Sequence, residues 1–385
     1  MFKKISRNIF ITVFLAMLVI PLVTVNRKEG KVSETENRKL APMARLYSGD
    51  GTLNKGFLAD FETWLNDNIG FRSAFVSANA GIRYYLFGVL PDNSDMYLGP
   101  EGELNYATDK MLKDYQHANL YSEEYLRETA DCLQCLCDYA ESKGAQFYYY
   151  QCWDKHSIYP EHFPDTVLQT GSESKTDGIV RAFEEYTDVN VISPKQDLLD
   201  AKSQYNTYSM WGDPAHWTER GAYIGYRKLM NAINANSADS YRVLEESDYT
   251  ISVTDQGKTL SGGIHNEDLE ETFQIKEPRA VLMKEKLTLY AEDGRHRFFT
   301  NEAAGNKTRL LVIGDSYFNS FIMEDLAESF YETVIIWGDY LGDIKNIIDA
   351  YDADIVVVEA AERVDRTWGI RRGAEAIKKA EAAAS

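Results

Sequence analysis

Three short apolar runs near the carboxyl end of the chain constrain its fold more than any other feature. They cover residues 310–313, 333–337 and 355–358, and they are predicted to be strands. The segments between them, 320–330 and 343–351, are predicted to be helices. Because apolar strands that alternate with helices form parallel sheets covered on both faces, we expect an α/β fold with three layers.

The same alternation extends back to about residue 120. It comprises predicted helices at 123–143, 177–186 and 218–230 and predicted strands at 146–151 and 189–192. Residues 240–300 are richer in β-branched residues, turns and charge, and are predicted to form a β-rich insertion. We therefore assign residues 119–366 to one α/β domain that contains this insertion.

The amino terminus predicts a membrane anchor. Lys3, Lys4 and Arg7 precede an apolar run of 17 residues, 9–25, which is at the short end of what crosses a bilayer. The positive flank favours a cytoplasmic amino terminus, and no small-x-small cleavage site follows. We expect residues 1–28 to be an uncleaved signal anchor of a single-pass cell-membrane protein whose remaining chain is extracytoplasmic.

Three further segments complete the organisation. Residues 29–55 are polar and are predicted to be a linker, and 56–118 to be a helical entry region with apolar residues at helical spacing. Residues 367–385 are rich in alanine, glutamate and lysine, and are predicted to be a solvated helical tail.

Charge excludes some partners. The 385 residues carry a formal net charge of −19. Such a surface repels phosphate backbones, so we expect no nucleic-acid partner. A neutral substrate fits more easily than a dense polyanion.

The chain has four cysteines: Cys132, Cys135, Cys137 and Cys152. The Cys132-x-x-Cys135 spacing suits a metal, but a zinc site needs a second ligand pair, which the sequence lacks. Small buried apolar side chains are the favoured interpretation. A disulfide to Cys152 stays open, and we expect no metal and no other cofactor.

Two segments carry candidate chemistry. In the first, a predicted buried strand runs into Gly314-Asp315-Ser316, and a helix begins shortly afterwards. Ligands of open α/β sheets bind at the carboxyl ends of strands, and N–H groups at a helix start can hold an oxyanion. Ser316 is therefore a candidate nucleophile, although Asp and Ser also commonly cap helices.

In the second segment, Asp213 and His216 are three residues apart, so a turn places both side chains on one side. The carboxylate can then hold the imidazole tautomer while the other ring nitrogen faces a serine. The alternative is that Asp213 caps a turn with Pro214 at its first position and that His216 only packs there. Together the two segments supply a nucleophile, a base and an orienting group.

These motifs resemble the SGNH or GDSL hydrolase superfamily. The order here, with the Asp-His element before the serine, and the His216-Trp217 pair resemble the alginate O-acetyltransferase family (J and X types) and the related DHHW proteins of bacterial envelopes. Further segments are similar to that family, and they lie at residues 36–42, 61–72, 98–102, 154–160 and 357–363. The resemblance covers roughly residues 36–365, and it implies an SGNH-hydrolase-like sheet with Ser316, His216 and Asp213 as a catalytic triad.

The sequence also departs from the family. Pro214 and Ala215 separate Asp213 from His216, where the family has one residue. Glu103 stands where a tryptophan is common. The separate Gly and Asn blocks that complete the oxyanion hole of standard SGNH enzymes have no evident equivalent.

Five more residues are expected to contact substrate: Tyr317, Lys155, Trp217, Glu359 and Arg363. Lys155 follows a predicted strand end and lines the expected cleft, unless it is ordinary surface charge. Glu359 and Arg363 have the alternative of pairing with each other.

The resemblance implies an extracytoplasmic O-acetyltransferase that acts on a cell-surface or exported polysaccharide through an acyl-enzyme. It further implies an acetyl donor and, as a partner, a polytopic membrane-bound O-acyltransferase. Two alternatives stay open: a carbohydrate acetylesterase with the same triad, and a non-catalytic anchored subunit of a polysaccharide export or modification complex.

Overall fold

The computed structural model describes residues 2–28, 32–33, 38–49, 51–90, 95–260 and 263–384. The helices are α1 (Phe2–Val23), α2 (Phe57–Asn68), α3 (Arg72–Phe87), α4 (Asp109–Tyr115), α5 (Glu123–Ser142), α6 (Lys155–Ile158), α7 (Lys175–Tyr186), α8 (Lys195–Ala201), α9 (Glu219–Asn236), α10 (Ser316–Phe321), α11 (Met323–Ala327), α12 (Ile344–Tyr351) and α13 (Thr367–Ala384). The strands are β1 (Val32–Ser33), β2 (Arg38–Lys39), β3 (Met96–Leu98), β4 (Leu104–Tyr106), β5 (Gln146–Cys152), β6 (Asn190–Ile192), β7 (Tyr249–Asp255), β8 (Thr259–Leu260), β9 (Ile264–His265), β10 (Leu269–Ile275), β11 (Val281–Leu282), β12 (Arg297–Thr300), β13 (Arg309–Gly314), β14 (Glu332–Trp337) and β15 (Ile355–Ala361).

The central sheet has seven strands in the order β11-β12-β14-β13-β15-β5-β6. The five strands from β14 to β6 are parallel, and β11 and β12 extend the sheet antiparallel at one edge. Val312 of β13 lies opposite Ile335 on one side and Val357 on the other. The predicted α/β fold with a parallel sheet is confirmed, because each apolar run does form a central strand.

Each face of this sheet buries a separate apolar cluster. Since neighbouring side chains of a strand point to opposite faces, Leu310 and Val312 enter one cluster, whereas Leu311 and Ile313 enter the other. Helices α9, α10 and α11 cover the first face, and α5, α12 and α13 cover the second. Each fully buried aliphatic side chain contributes about 1.5–3 kcal/mol. The result is the expected three-layer arrangement.

Two elements differ from their predicted roles. The predicted insertion at 240–300 is only partly separate: β7 and β10 form a hairpin of their own, whereas β11 and β12 join the central sheet. The tail helix α13 is not fully solvated, because Ile370, Ala374 and Ile377 recur at helical spacing and are all buried. In the sequence, this apolar stripe is too sparse among the charged residues to predict that the helix packs against the domain.

The described chain divides into two compact units. One comprises Met1–Ser94 and Lys258–Asn266, and the other comprises Asp95–Gly257 and Glu267–Ser385. This boundary lies at 94/95, compared with the 118/119 boundary expected from the sequence. Parts of the predicted linker and entry region (29–31, 34–37, 50 and 91–94), of the insertion (261–262) and of the tail (385) lie outside the described residues.

Helix α1 has 22 residues and contains Pro21. No helix in the described part of the chain is long and apolar enough to cross a membrane. The membrane-spanning helix predicted for residues 9–25 is therefore not found among those residues.

Candidate active site

Ser316 is the first residue of α10 and follows the end of β13 after one intervening residue. The Asp315 side chain caps this helix by accepting the backbone N–H of Tyr317 at 3.1 Å. Glu359, on the adjacent strand β15, accepts the Asp315 N–H at 2.6 Å. A Cβ at Gly314 would lie 2.6 Å from the Glu359 carboxylate, which explains the glycine. These contacts hold Ser316 at the carboxyl edge of the sheet.

Asp213 and His216 lie in the loop between α8 and α9. One Asp213 oxygen accepts the backbone N–H groups of Ala215 and His216, each at 2.8 Å. The Asp213 N–H donates to Ser209 Oγ at 2.8 Å. Asp213 therefore does cap a turn, as the alternative interpretation held. Its second carboxylate oxygen remains available for the imidazole.

A buried carboxylate, that of Asp268, accepts several hydrogen bonds from this loop. Asp268 Oδ2 accepts the backbone N–H groups of Met210, Trp211 and Gly212 at 2.9, 2.7 and 2.9 Å, and the Ser209 hydroxyl at 2.8 Å. Asp268 is 1% exposed and directly precedes β10. The sequence does not predict this role, because nothing near Asp268 in the chain indicates that it contacts a loop more than 50 residues away.

The three predicted catalytic residues form one hydrogen-bonded chain. His216 Nδ1 lies 3.0 Å from Asp213 Oδ2, and His216 Nε2 lies 2.8 Å from Ser316 Oγ. Since an ionised carboxylate only accepts, the imidazole proton belongs on Nδ1, and Nε2 accepts from the serine hydroxyl. Burial acts to raise the pKa of Asp213, but the hydrogen bond and charge of His216 and the two backbone N–H groups outweigh it, so the pKa is lowered.

Arg363 places a positive charge beside this hydrogen-bonded triad. Its Nη2 lies 2.6 Å from His216 Nε2, and its Nη1 forms an ion pair with Asp154, whose side chain is fully buried. The Tyr317 hydroxyl lies 2.8 Å from the same Asp154 oxygen and 3.3 Å from Arg363 Nη1. Asp154 thus orients the guanidinium towards the Ser316–His216 pair, a role that its local sequence does not predict.

The other four residues predicted to contact substrate are buried. Tyr317 and Glu359 are 0% exposed, and Lys155 and Trp217 are 1% exposed. None of the four presents surface to a ligand in this conformation. Of the five predicted substrate-binding side chains, only Arg363, which is 17% exposed and contacts His216, keeps appreciable solvent exposure.

Internal partners explain these buried positions. The Lys155 ammonium donates to the carbonyls of Leu104 and Met210 at 2.9 and 3.3 Å, and burial lowers its pKa to about 8. Trp217 packs edge-on against Tyr317. Burial, together with the charge of Asp315, raises the pKa of Glu359 well above its ordinary value. The alternative pairing of Glu359 with Arg363 does not form, because Asp154 pairs with the guanidinium.

Glu103, the departure from the family tryptophan, is also internal. Its carboxylate lies 3.4 Å from His162 Nε2 and accepts the Glu101 N–H at 3.0 Å. It is 5% exposed. Glu103 therefore has a structural role inside the domain and is not positioned to contact a ligand.

One group of potential metal ligands comes together among the described residues: Asp154, His156 and Glu362, with ligand atoms within 4.8 Å of one another. Glu362 already accepts the Asp154 N–H at 2.9 Å and the Ser157 hydroxyl at 2.7 Å, and Asp154 is paired with Arg363. The group is buried, and its carboxylates are in use as structural acceptors. All four cysteines are free thiols, so the disulfide left open for Cys152 is not formed.

A parallel sheet with a Gly-Asp-Ser turn at its carboxyl edge, faced by a His-Asp pair, defines an SGNH hydrolase-like α/β domain. The sequence model of the SGNH hydrolase-like domain of the acetyltransferase AlgX matches residues 107–333, more than half of the chain. The chain therefore belongs to the AlgX family of SGNH hydrolase-like acetyltransferase domains, and the resemblance seen in the sequence is confirmed.

Two solved structures of Bacillus cereus PatB1 share the fold at low sequence identity. Bacillus cereus PatB1 with a sulfonyl adduct matches with a TM-score of 0.53 and 17% identity, over 72% of this chain and 99% of that one. A second structure of Bacillus cereus PatB1 matches with a TM-score of 0.52 and 16% identity, over 71% of this chain and 98% of that one. A DHHW family protein from Eubacterium siraeum DSM 15702 matches with a TM-score of 0.48 and 14% identity, over 72% of this chain and 97% of that one. No curated protein matches this sequence.

Proposed function

We propose that this protein is an O-acetyltransferase that transfers an acetyl group to a hydroxyl of a polysaccharide through an acyl-enzyme on Ser316. The observation that carries the proposal is the continuous chain from Asp213 through His216 to Ser316. Membership in the AlgX family supports the acyl chemistry and the polysaccharide acceptor.

The proposed reaction has two halves. His216 Nε2 takes the Ser316 proton as Oγ attacks the acetyl carbonyl carbon, and the same nitrogen returns the proton to the departing donor oxygen. A sugar hydroxyl then gives its proton to Nε2 and attacks the acetyl carbon. The bond from that carbon to Oγ breaks, and Ser316 recovers the proton. Asp213 holds the imidazole throughout and stabilises its cation.

Negative charge develops on the carbonyl oxygen in both halves. Two groups are suited to stabilise it: the Ser316 N–H at the start of α10 and the Arg363 guanidinium. Arg363 Nη2 and Ser316 Oγ are both within hydrogen-bond distance of the same imidazole nitrogen. Arg363 thus supplies positive charge where the Gly and Asn blocks of standard SGNH enzymes are missing.

The first test uses the full chain and 4-nitrophenyl acetate. Ser316→Ala and His216→Ala are each expected to lower kcat at least about 10³-fold, because members of a triad act as a unit. Ser203→Ala, at an exposed serine outside the site, is the matched control and should keep full activity. Equal turnover in the wild type and both site variants, with folding intact, would remove Ser316 and His216 from the mechanism.

A covalent probe adds an independent readout. PatB1 carries a sulfonyl adduct in one of the similar structures. Phenylmethylsulfonyl fluoride is therefore expected to label this chain at Ser316, as located by peptide mass spectrometry, and His216→Ala should slow the labelling. Absence of any label in folded protein would favour the non-catalytic subunit.

The proposed setting is the outer side of a cell membrane, with residues 1–28 as the anchor and a polytopic membrane-bound O-acyltransferase as the source of acetyl groups. The cations before the apolar run 9–25 and the family resemblance support it. In bacterial spheroplasts, added protease should digest the folded domain, and detergent but not salt should release it from membranes. A protease-protected or freely soluble protein would contradict this setting.

A further inference from the structure

A cavity of about 430 Å³ is lined by Glu219, three residues after His216, and by Phe321 at the end of α10. Its lining includes Phe273, Phe321, Glu219, Glu324, Asp325 and Arg297. Phe321 is the last residue of α10, the helix that Ser316 begins, and its ring stacks on the His216 imidazole with 5.8 Å between ring centroids. Phe321 therefore borders both the cavity and the imidazole.

The cavity combines ring surfaces with hydrogen-bond acceptors. Phe273 and Phe321 both line the cavity and are half-buried, although Tyr223 stacks on Phe273 and His216 stacks on Phe321. Small-molecule sites typically pair aromatic walls with a few polar groups that fix orientation. A sugar ring matches this pattern, because its C–H face packs on an aromatic ring while its hydroxyls donate hydrogen bonds.

The charges in the cavity select among sugars. Three carboxyl groups, those of Glu219, Glu324 and Asp325, line it together with Arg297, whose guanidinium lies 3.7 Å from Glu324. A nearby second cation, Arg220, is already paired with Glu271 and Glu246. The cavity therefore has no unpaired cation among its described lining residues to receive a sugar carboxylate.

The pKa values of two of these carboxyl groups, Asp325 and Glu219, are raised. Asp325 accepts the Tyr249 hydroxyl at 2.9 Å, and burial, followed by the charges of Glu324 and Glu219, raises its pKa to about 7. Burial likewise raises the pKa of Glu219, which accepts the Phe273 N–H. A further carboxylate would be disfavoured by the same two effects, loss of water and like-charge repulsion.

We propose that this cavity is the acceptor subsite and that it takes an uncharged sugar residue in preference to a uronate. The inference rests on the proposed function, because it assigns the second substrate of the same acyl-enzyme. A hydroxyl of the sugar in this cavity gives its proton to His216 Nε2 and attacks the acetyl carbon on Ser316, the bond from that carbon to Oγ breaks, and Ser316 Oγ takes up the proton. The uncharged sugar thereby leaves as its acetyl ester.

The test compares matched acceptors with the full chain and 4-nitrophenyl acetate as donor. Methyl glucoside, galactoside and mannoside are each paired with the corresponding methyl uronide, which differs by a carboxylate in place of the terminal CH₂OH. The readout is the ratio of acetylated sugar, measured by mass spectrometry, to acetate released. We expect the ratio to be at least about tenfold higher for an uncharged sugar than for its uronide, which corresponds to 1.4 kcal/mol or more. Equal or better transfer to uronides, or transfer to no uncharged sugar, would overturn the proposal.

A charge reversal separates the cavity from the general surface. Glu324 is 72% exposed, so Glu324→Lys should fold, and it should shift the ratio towards uronides several-fold. Glu302→Lys makes the same change in net charge at a side chain that is 78% exposed outside the cavity lining, and it should leave the ratio unchanged. Identical ratios in the Glu324→Lys variant and wild type would refute the subsite. Loss of ester turnover in wild type, by contrast, would refute the proposed function itself.

Discussion

The two halves of the candidate active site are built in different ways. Ser316 sits in a turn between β13 and α10, where an apolar strand, Gly314 and the Asp315 cap are contiguous in sequence. His216 and Asp213 sit in a loop without regular structure, and Asp268 holds that loop from more than 50 residues away. The comparison teaches that the serine half is encoded locally, whereas the histidine half depends on long-range contacts.

The largest expected effect joins the two halves. Arg363→Met removes the cation beside His216 and leaves the Asp154 carboxylate buried without its ion-pair partner. We expect unfolding free energy to fall by about 3–5 kcal/mol, together with a loss of kcat. Denaturant unfolding and ester turnover measure the two effects.

A double variant separates stability from chemistry. Asp154→Asn combined with Arg363→Met removes both charges, so most of the lost stability should return. Because the guanidinium is still absent, kcat should stay low. Recovery of both properties would mean that Arg363 has only a structural role.

The histidine half is tested by Asp268→Ala. This change leaves the N–H groups of Met210 and Trp211 without their acceptor and Gly212 with Ser209 Oγ alone, at about 1–3 kcal/mol for each group that finds no water. Asp268→Asn keeps an acceptor oxygen and should lie between the alanine variant and wild type. Calorimetric unfolding and the kcat of ester hydrolysis provide the readouts. Wild-type kcat in folded Asp268→Ala protein would show that the loop holds its geometry unaided.

The serine half is tested by Gly314→Ala. The new Cβ would lie 2.6 Å from the Glu359 carboxylate and 3.1 Å from its Cβ, so the turn must shift. Overpacking of this kind costs about 1–3 kcal/mol. Activity should fall more than stability, because Ser316 is only two residues away. Gly294→Ala, which meets no atom within 4 Å, is the matched control. A variant as stable and active as wild type would argue against a rigid turn.

The smallest effect concerns pH. Burial, then a hydrogen bond to Asp268 and the charges of Asp268 and Asp213, raise the pKa of Glu270 to about 8. The folded chain therefore binds a proton that the unfolded chain releases between its ordinary carboxyl pKa and about 8, so unfolding free energy falls as pH rises through that window. Glu270→Gln should remove this slope and gain about 1–2 kcal/mol relative to wild type above pH 8.

Unfolding of both proteins at several pH values measures this slope. The exposed Glu267→Gln provides the control, and it should follow the wild-type curve. A Glu270→Gln variant with an unchanged slope would show that this carboxyl is ionised in the folded state at neutral pH.

The sequence alone was sufficient for the central strands and for the pairing of the three triad candidates. The apolar runs predicted β13, β14 and β15 to within a few residues, because side-chain periodicity and burial are local signals. Predictions of substrate contacts were less successful: Tyr317 and Glu359 proved to be fully buried. Residue type and position after a strand do not reveal whether a polar side chain faces the cleft or the core.

Sequence by itself determined the α/β class, the Gly-Asp-Ser turn and the family. Only the tertiary structure decided how His216 reaches Ser316 across 100 positions of chain, how Asp268 and Asp154 hold the site, and which aromatic and acidic side chains enclose the cavity. The physical reason is that strands, turns and caps follow from interactions between near neighbours, whereas burial, charge pairing and cavities arise from residues that meet only after the sheet and its helices have packed.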